Sequence, residues 1–266
     1  MTWIRGVLVT AAVLPLAGCF QAATVIKLKA DGSGTIEQRL LLTEAAMEQL
    51  RGFAILSGGN AAGTDPTSEA QARSLAESLG PGVTYVSSTP VKTETAQGRD
   101  SVYAFTDITK LHMSEQPRLP GGIVSPAGTA NVGELTFVLT REPDANALLR
   151  IQVPKFNLLP LQAGPNGAVM APTAQQIDMV KGLLAGARLT VGIEPEGRLV
   201  RTTSPFVEGN RVTLIDLDFD KATADPDLAT KLQSLKTADD VKATVASLQG
   251  VRITFDPEIS ITFAPQ

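Results

Sequence analysis

The chain has 266 residues, of which 43% are hydrophobic and 19% charged, and its formal net charge is −4. An anionic chain of this kind is a poor partner for nucleic acid or for an anionic lipid surface. Its single cysteine excludes an internal disulfide and a cysteine-type metal site.

The first element is an export signal. The stretch MTWIRGVLVTAAVLPLAGC carries one cation, Arg5, then an apolar run from Val7 to Leu16, and no acid, which is the layout of a secretory signal. The run is shorter than the roughly 20 residues that span a bilayer. It ends in Leu16, Ala17, Gly18 and Cys19, which resemble the lipobox of bacterial lipoproteins at all four positions. That resemblance implies recognition of Leu16, Ala17 and Gly18 by signal peptidase, cleavage before Cys19, and lipidation of the cysteine by a diacylglycerol and an acyl group such as palmitate. Each buried methylene of such chains adds about 0.8 kcal/mol of membrane affinity. Phe20 stands where the family's inner-membrane retention signal has Asp, which favours the outer membrane, facing the periplasm. Removing residues 1–18 takes Arg5 from the 23 cations and none of the 27 acids, leaving a charge of −5 on 248 residues. The only tryptophan, Trp3, leaves with the signal.

Residues 19–24 then read as a short lipidated tether, reaching about 20 Å at 3.3–3.6 Å per extended residue, ahead of a domain from 25 to 266. Ile26, Leu28 and Ala30 alternate on one strand face, and Ile36, Leu40 and Leu42 answer them on the next. Lys27 and Lys29 then face Glu37 and Arg39 on the wet side. Asp31-Gly32-Ser33-Gly34 makes the hairpin turn between them. Thr43 caps a helix running to about Phe53, and a second helix covers about Thr67 to Leu79. Strands follow at about Val83–Thr93 and Ser101–Ile108. Leu135, Phe137 and Leu139 on one strand pack against Leu149, Ile151 and Val153 on the next in a second hairpin, joined by a polar turn from Arg141 to Asn146.

A helix from about Thr173 to Ala185 precedes strands at Arg188–Glu194 and Arg198–Thr203. Gly209-Asn210 turns the chain into a strand at Val212–Phe219. Asp225 and Pro226 open a helix as N-cap and first residue, and Thr237 with Asp240 opens another through a capping box. The chain closes with Val251, Ile253 and Phe255, then Ile259, Ile261 and Phe263, interrupted at Pro257. The expected fold class is α+β: a largely antiparallel sheet built from hairpins and covered by helices on one face. Two lobes meeting near residues 154–172 fit the length.

Catalytic patterns are scarce. Residues 29–37 resemble the calcium loop of EF-hand proteins in their middle, but Lys29 and Leu40 replace the carboxylates at the ends of that loop, so a hairpin turn is expected. Asp216, Asp218 and Asp220 alternate along one strand and point the same way, and Asp216 and Asp218 are weak metal candidates, the basis of a cation-binding alternative. His112 is the only histidine, and no G-x-S-x-G elbow, HExxH motif or phosphate-binding loop accompanies it. A carboxylate-dependent hydrolase is a further alternative, with no spacing that singles out a pair. No cofactor is expected. Phe156, Leu158, Leu159 and Leu161 lie in a proline- and glycine-rich stretch and need burial or a partner, which makes them the candidate contact for an envelope protein or lipid.

Residues 25–42, the segment RLTVGIEPEGRLV at 188–200 and VEGNRVTL at 207–214 resemble uncharacterised bacterial lipoproteins and, distantly, LppM-type envelope domains. The resemblance implies an α+β envelope domain and transfers no functional residue. The expected function is therefore a non-enzymatic, lipid-anchored envelope protein that binds a protein partner or lipid.

Overall fold

The structure, a computed structural model, describes residues 20–48, 65, 67–114, 134–153, 173–235 and 237–265. Residues 1–19, with the expected signal and Cys19, and the apolar stretch containing Phe156, Leu158, Leu159 and Leu161, where two lobes were expected to meet, lie outside the described residues.

Period-2 alternation of apolar residues governs the chain, and it produces two sheets. The first hairpin forms as expected, β1 (Phe20–Leu28) against β2 (Gly34–Thr43), with Ile26 opposite Ile36. The Asp31 carboxylate accepts from the Ser33 amide and hydroxyl at 2.9 and 2.7 Å, and Gly32 takes a φ of +92° that favours glycine at this turn. β2 pairs with β4 (Ala96–Phe105), which pairs with the edge strand β3 (Thr84–Lys92). On its other side β1 pairs in parallel with β8 (Arg188–Pro195). Beyond β8 lies β11 (Arg211–Asp218), which carries the short strands β10 (Val207–Glu208) and β12 (Val251–Ile253). These eight strands form the larger sheet.

The smaller sheet is antiparallel, in the order β5 (Met113–Ser114), β6 (Glu134–Arg141), β7 (Ala147–Gln152), β13 (Glu258–Pro265) and β9 (Gly197–Thr202). Its β6–β7 hairpin forms as expected, and its register sets Phe137 opposite Ile151 and Leu139 opposite Leu149. Ile26, Leu28, Ile36 and Phe105 of the larger sheet join Phe137, Leu149, Ile151, Ile261 and Phe263 of the smaller in one apolar core. Burying each such side chain contributes about 1.5–3 kcal/mol.

This corrects the expected fold class. A single hairpin-built sheet with helices on one face is replaced by two sheets sharing a core, and one pairing in the larger sheet is parallel. The chain crosses between sheets where β8 runs through Glu196 into β9, and again between β12 and β13. Strands adjacent in sequence usually pair, and these do not.

The helices pack on separate margins and cover no common face. α1 (Glu69–Ser78) lies against β3, and α5 (Ala238–Ser247) against β12. α2 (Ala174–Leu184) contacts α3 (Phe219–Thr223), while α4 (Leu228–Gln233) contacts α5. The Thr237–Asp240 capping box forms, with both of its hydrogen bonds present. α4, however, starts two residues later than expected. The Asp225 carboxylate instead accepts from the Asp227 amide and the Lys231 ammonium, at 2.9 and 2.6 Å. Residues 44–48 are helical, and the Ala46 amide donates to Thr43 Oγ1.

Candidate functional site

Strand directions place two rims at opposite ends of the larger sheet. Around the first rim lie the starts of β1, β4 and β8 and the ends of β2, β3 and β11, as the registers Phe20 to Leu42, Thr43 to Ala96, Lys92 to Gln97, Gln21 to Arg188 and Arg188 to Asp218 require. Around the second lie Leu28, Gly34, Pro195 and Arg211.

At the first rim the expected tether disappears as a tether. From Phe20 on, residues 19–24 are the opening half of β1, paired with β2 on one side and with β8 on the other. Phe20 is half-buried and packs beside Leu40, Leu42, Ala46 and Met47. A strand signal was present in the alternation of Ala22, Thr24 and Ile26, all buried, but the two small residues hid it.

Asp218 sits on the same rim and is 8% exposed. Its carboxylate lies 3.2 Å from Arg188 Nη2 and 3.3 Å from Lys221 Nζ, and Oδ1 accepts from the Lys221 amide as the N-cap of α3. Burial acts to raise its pKa, but the Lys221 amide and ammonium together with Arg188 outweigh it and hold the group below the ordinary carboxylate range. Asp216 accepts from Thr190 Oγ1 at 3.2 Å, and Asp220 from the Gly186 amide at 2.6 Å. The alternating aspartates are thus occupied by three separate sets of protein donors. Among the described residues no three His, Cys, Asp or Glu side chains gather as a metal-binding group.

The second rim carries a polar depression of about 400 Å³ lined by Lys27, Glu194, Pro195, Glu196, Gly197 and Asn210. A row of alternating charge crosses the strands here. Arg211 pairs with Glu194 at 2.9 Å, and Lys27 with Glu37 at 2.6 Å, the second contact as expected, whereas Lys29 lies beyond the end of β1 and Arg39 pairs with Asp100 of β4. The hydrogen bond to Glu37 raises the Lys27 pKa above its ordinary value.

Asn210 closes this rim. Its amide nitrogen donates to the Pro195 and Gly197 carbonyls, and its Oδ1 accepts from the Leu199 amide at 2.9 Å. One side chain therefore satisfies three backbone groups where the chain leaves one sheet for the other. Sequence reasoning assigned Asn210 only to a turn. The extra signal was the pair of backbone breakers Pro195 and Gly197 inside an otherwise continuous strand pattern.

Other candidates are placed more simply. His112 Nδ1 lies 3.1 Å from Glu134 Oε2 on the surface. Between the sheets, Leu135, Val153, Leu214, Ile215, Ile253, Thr254 and Ile259 line a cavity of about 10 Å³, room for about one water and not for an acyl chain. No helix among the described residues is long and apolar enough to cross a membrane.

No protein-family model matches the chain, and no curated protein matches it. A structural likeness extends over 93% of this chain and 90% of the folded domain of LppM from Mycobacterium tuberculosis, determined by NMR, with 9% sequence identity and a TM-score of 0.34. A likeness this loose transfers no residue and no activity.

Proposed function

We propose that the chain is a lipid-anchored protein of the bacterial cell envelope that acts by binding a protein partner or a lipid, without catalysis. The observation that carries the reading is the order of three features: an apolar export run, Leu16-Ala17-Gly18-Cys19, and a folded strand that begins at the next residue, Phe20. A signal cut before Cys19 would leave the whole described domain intact. The outer membrane, facing the periplasm, is the favoured site because Phe20 follows the cysteine.

No spacing singles out a catalytic pair for the hydrolase alternative, and Asp100, Glu69 and Asp225 are each engaged by a cation, Arg39, Arg73 and Lys231 respectively. Phe156, Leu158, Leu159 and Leu161 stay the proposed contact for the partner or lipid, on the strength of their apolar character in a proline- and glycine-rich stretch.

The test is expression of wild type and Cys19→Ser with a clickable fatty acid. Wild type should carry the label and sediment with membranes, and the variant should lose the label completely. A labelled variant, or an unlabelled wild type, would refute the anchor.

A further inference from the structure

The first rim of the larger sheet gains a specific role if Cys19 is acylated, and the following inference rests on that reading. We propose that this rim, bounded by Phe20, Thr43, Lys92, Glu94, Arg188 and Lys221, lies directly on the lipid headgroups, so that the domain stands with β1 pointing away from the bilayer.

The geometry leaves little slack. Consecutive Cα atoms are about 3.8 Å apart, and Phe20 already belongs to β1, with Leu42 as its partner on β2. Gln21 is held on both sides, by Leu41 and by Arg188. Freeing a longer tether would break two ladders of a strand interior to the sheet. The acyl chains must lie in the hydrocarbon, so Cys19 is confined to the interface and the rim with it. The nine residues of β1, at about 3.3 Å each, put the second rim about 30 Å further out. The polar depression and the Asn210 corner consequently face away from the membrane.

Charge does not draw this rim to an anionic surface: Lys92, Arg188 and Lys221 are outnumbered by Glu94, Asp218 and Asp220 together with Glu44 and Glu48, which are exposed in the helical turn after Thr43. The contact is imposed by the anchor, and it should resist moderate salt.

The chain without its signal has no tryptophan, so introduced ones report alone. Glu94→Trp and, as a repeat on the same exposed turn, Thr95→Trp mark the first rim. Lys29→Trp, exposed beyond the end of β1, marks the second. The full acylated protein is placed in phosphatidylcholine vesicles containing a headgroup-linked nitroxide quencher, after mass measurement of the Cys19 peptide. Fluorescence of the position 94 and 95 variants should fall at least twofold, and that of the position 29 variant by less than one fifth. Equal quenching, or stronger quenching at position 29, with Cys19 acylated would overturn the orientation alone. An unmodified Cys19 would overturn the anchor and the orientation together.

Discussion

The two ends of the larger sheet are built on different principles. At the second rim the chain must change sheets, and a neutral side chain, Asn210, satisfies the backbone groups that the crossing exposes. At the first rim no crossing of that kind is made at β1. There a buried charge, Asp218, ties a strand end to a helix start and to two cations. The contrast teaches that the sheet crossing at one end is held by neutral hydrogen bonds that ignore pH and salt, with the ion pairs Arg211–Glu194 and Lys27–Glu37 beside it on the surface, whereas the strand end at the other is held by electrostatics that depend on both.

The largest effect should come from breaking the neutral end. Asn210→Ala leaves Pro195 O, Gly197 O and Leu199 N without their side-chain partner, and at roughly 1–3 kcal/mol for each unsatisfied buried group, reduced by partial access to water, the loss should be about 2–4 kcal/mol. Urea unfolding would measure it, and the loss should be the same from pH 5 to pH 8. A smaller loss, about 1 kcal/mol, is expected for Asp218→Asn. Asparagine caps helices as well as aspartate, so this change removes only the charge. Because the Asp218 pKa is depressed on folding, its contribution is fully present above the ordinary value near 3.8 and fades as pH falls through the lower folded value. The gap between Asp218→Asn and wild type should therefore be open at pH 7 and close in stronger acid. Arg39→Ala serves as the small-effect reference. Its bidentate bonds to Asp100, at 2.7 and 2.6 Å, are on the surface, so less than about 1 kcal/mol should be lost, and less still in high salt.

Local structure was legible where a single physical signal acts over a few residues. The Asp31 turn, the β6–β7 hairpin and the Thr237–Asp240 box all follow from side chains close in sequence. What escaped was long-range. Alternation marks Arg188–Glu194 and Arg198–Thr203 as strands, but it cannot say that Thr24 of β1 lies beside Val191 in parallel, or that β9 belongs beside β13. The helix-covered single sheet failed for that reason: the second layer is supplied by another sheet drawn from four separate stretches of chain.

The candidate site divides along the same line. The resemblance of Leu16, Ala17, Gly18 and Cys19 to a lipobox is carried by contiguous residues and can be read from the sequence alone, whereas the environment of Asp218 depends on Arg188, thirty residues away in sequence and opposite it in the sheet. Asp216 and Asp218 looked alike in the strand pattern. The fold separates them, giving one a threonine hydroxyl and the other two cations and a helix terminus.

Everything proposed about membrane placement depends on the first residue before β1. Intact mass measurement of the N-terminal peptide from protein purified out of bacterial membranes addresses it directly. The account predicts a peptide that begins at Cys19 and carries a diacylglycerol on sulfur; a peptide that begins at Met1, or a Cys19 with an unmodified thiol, would contradict it.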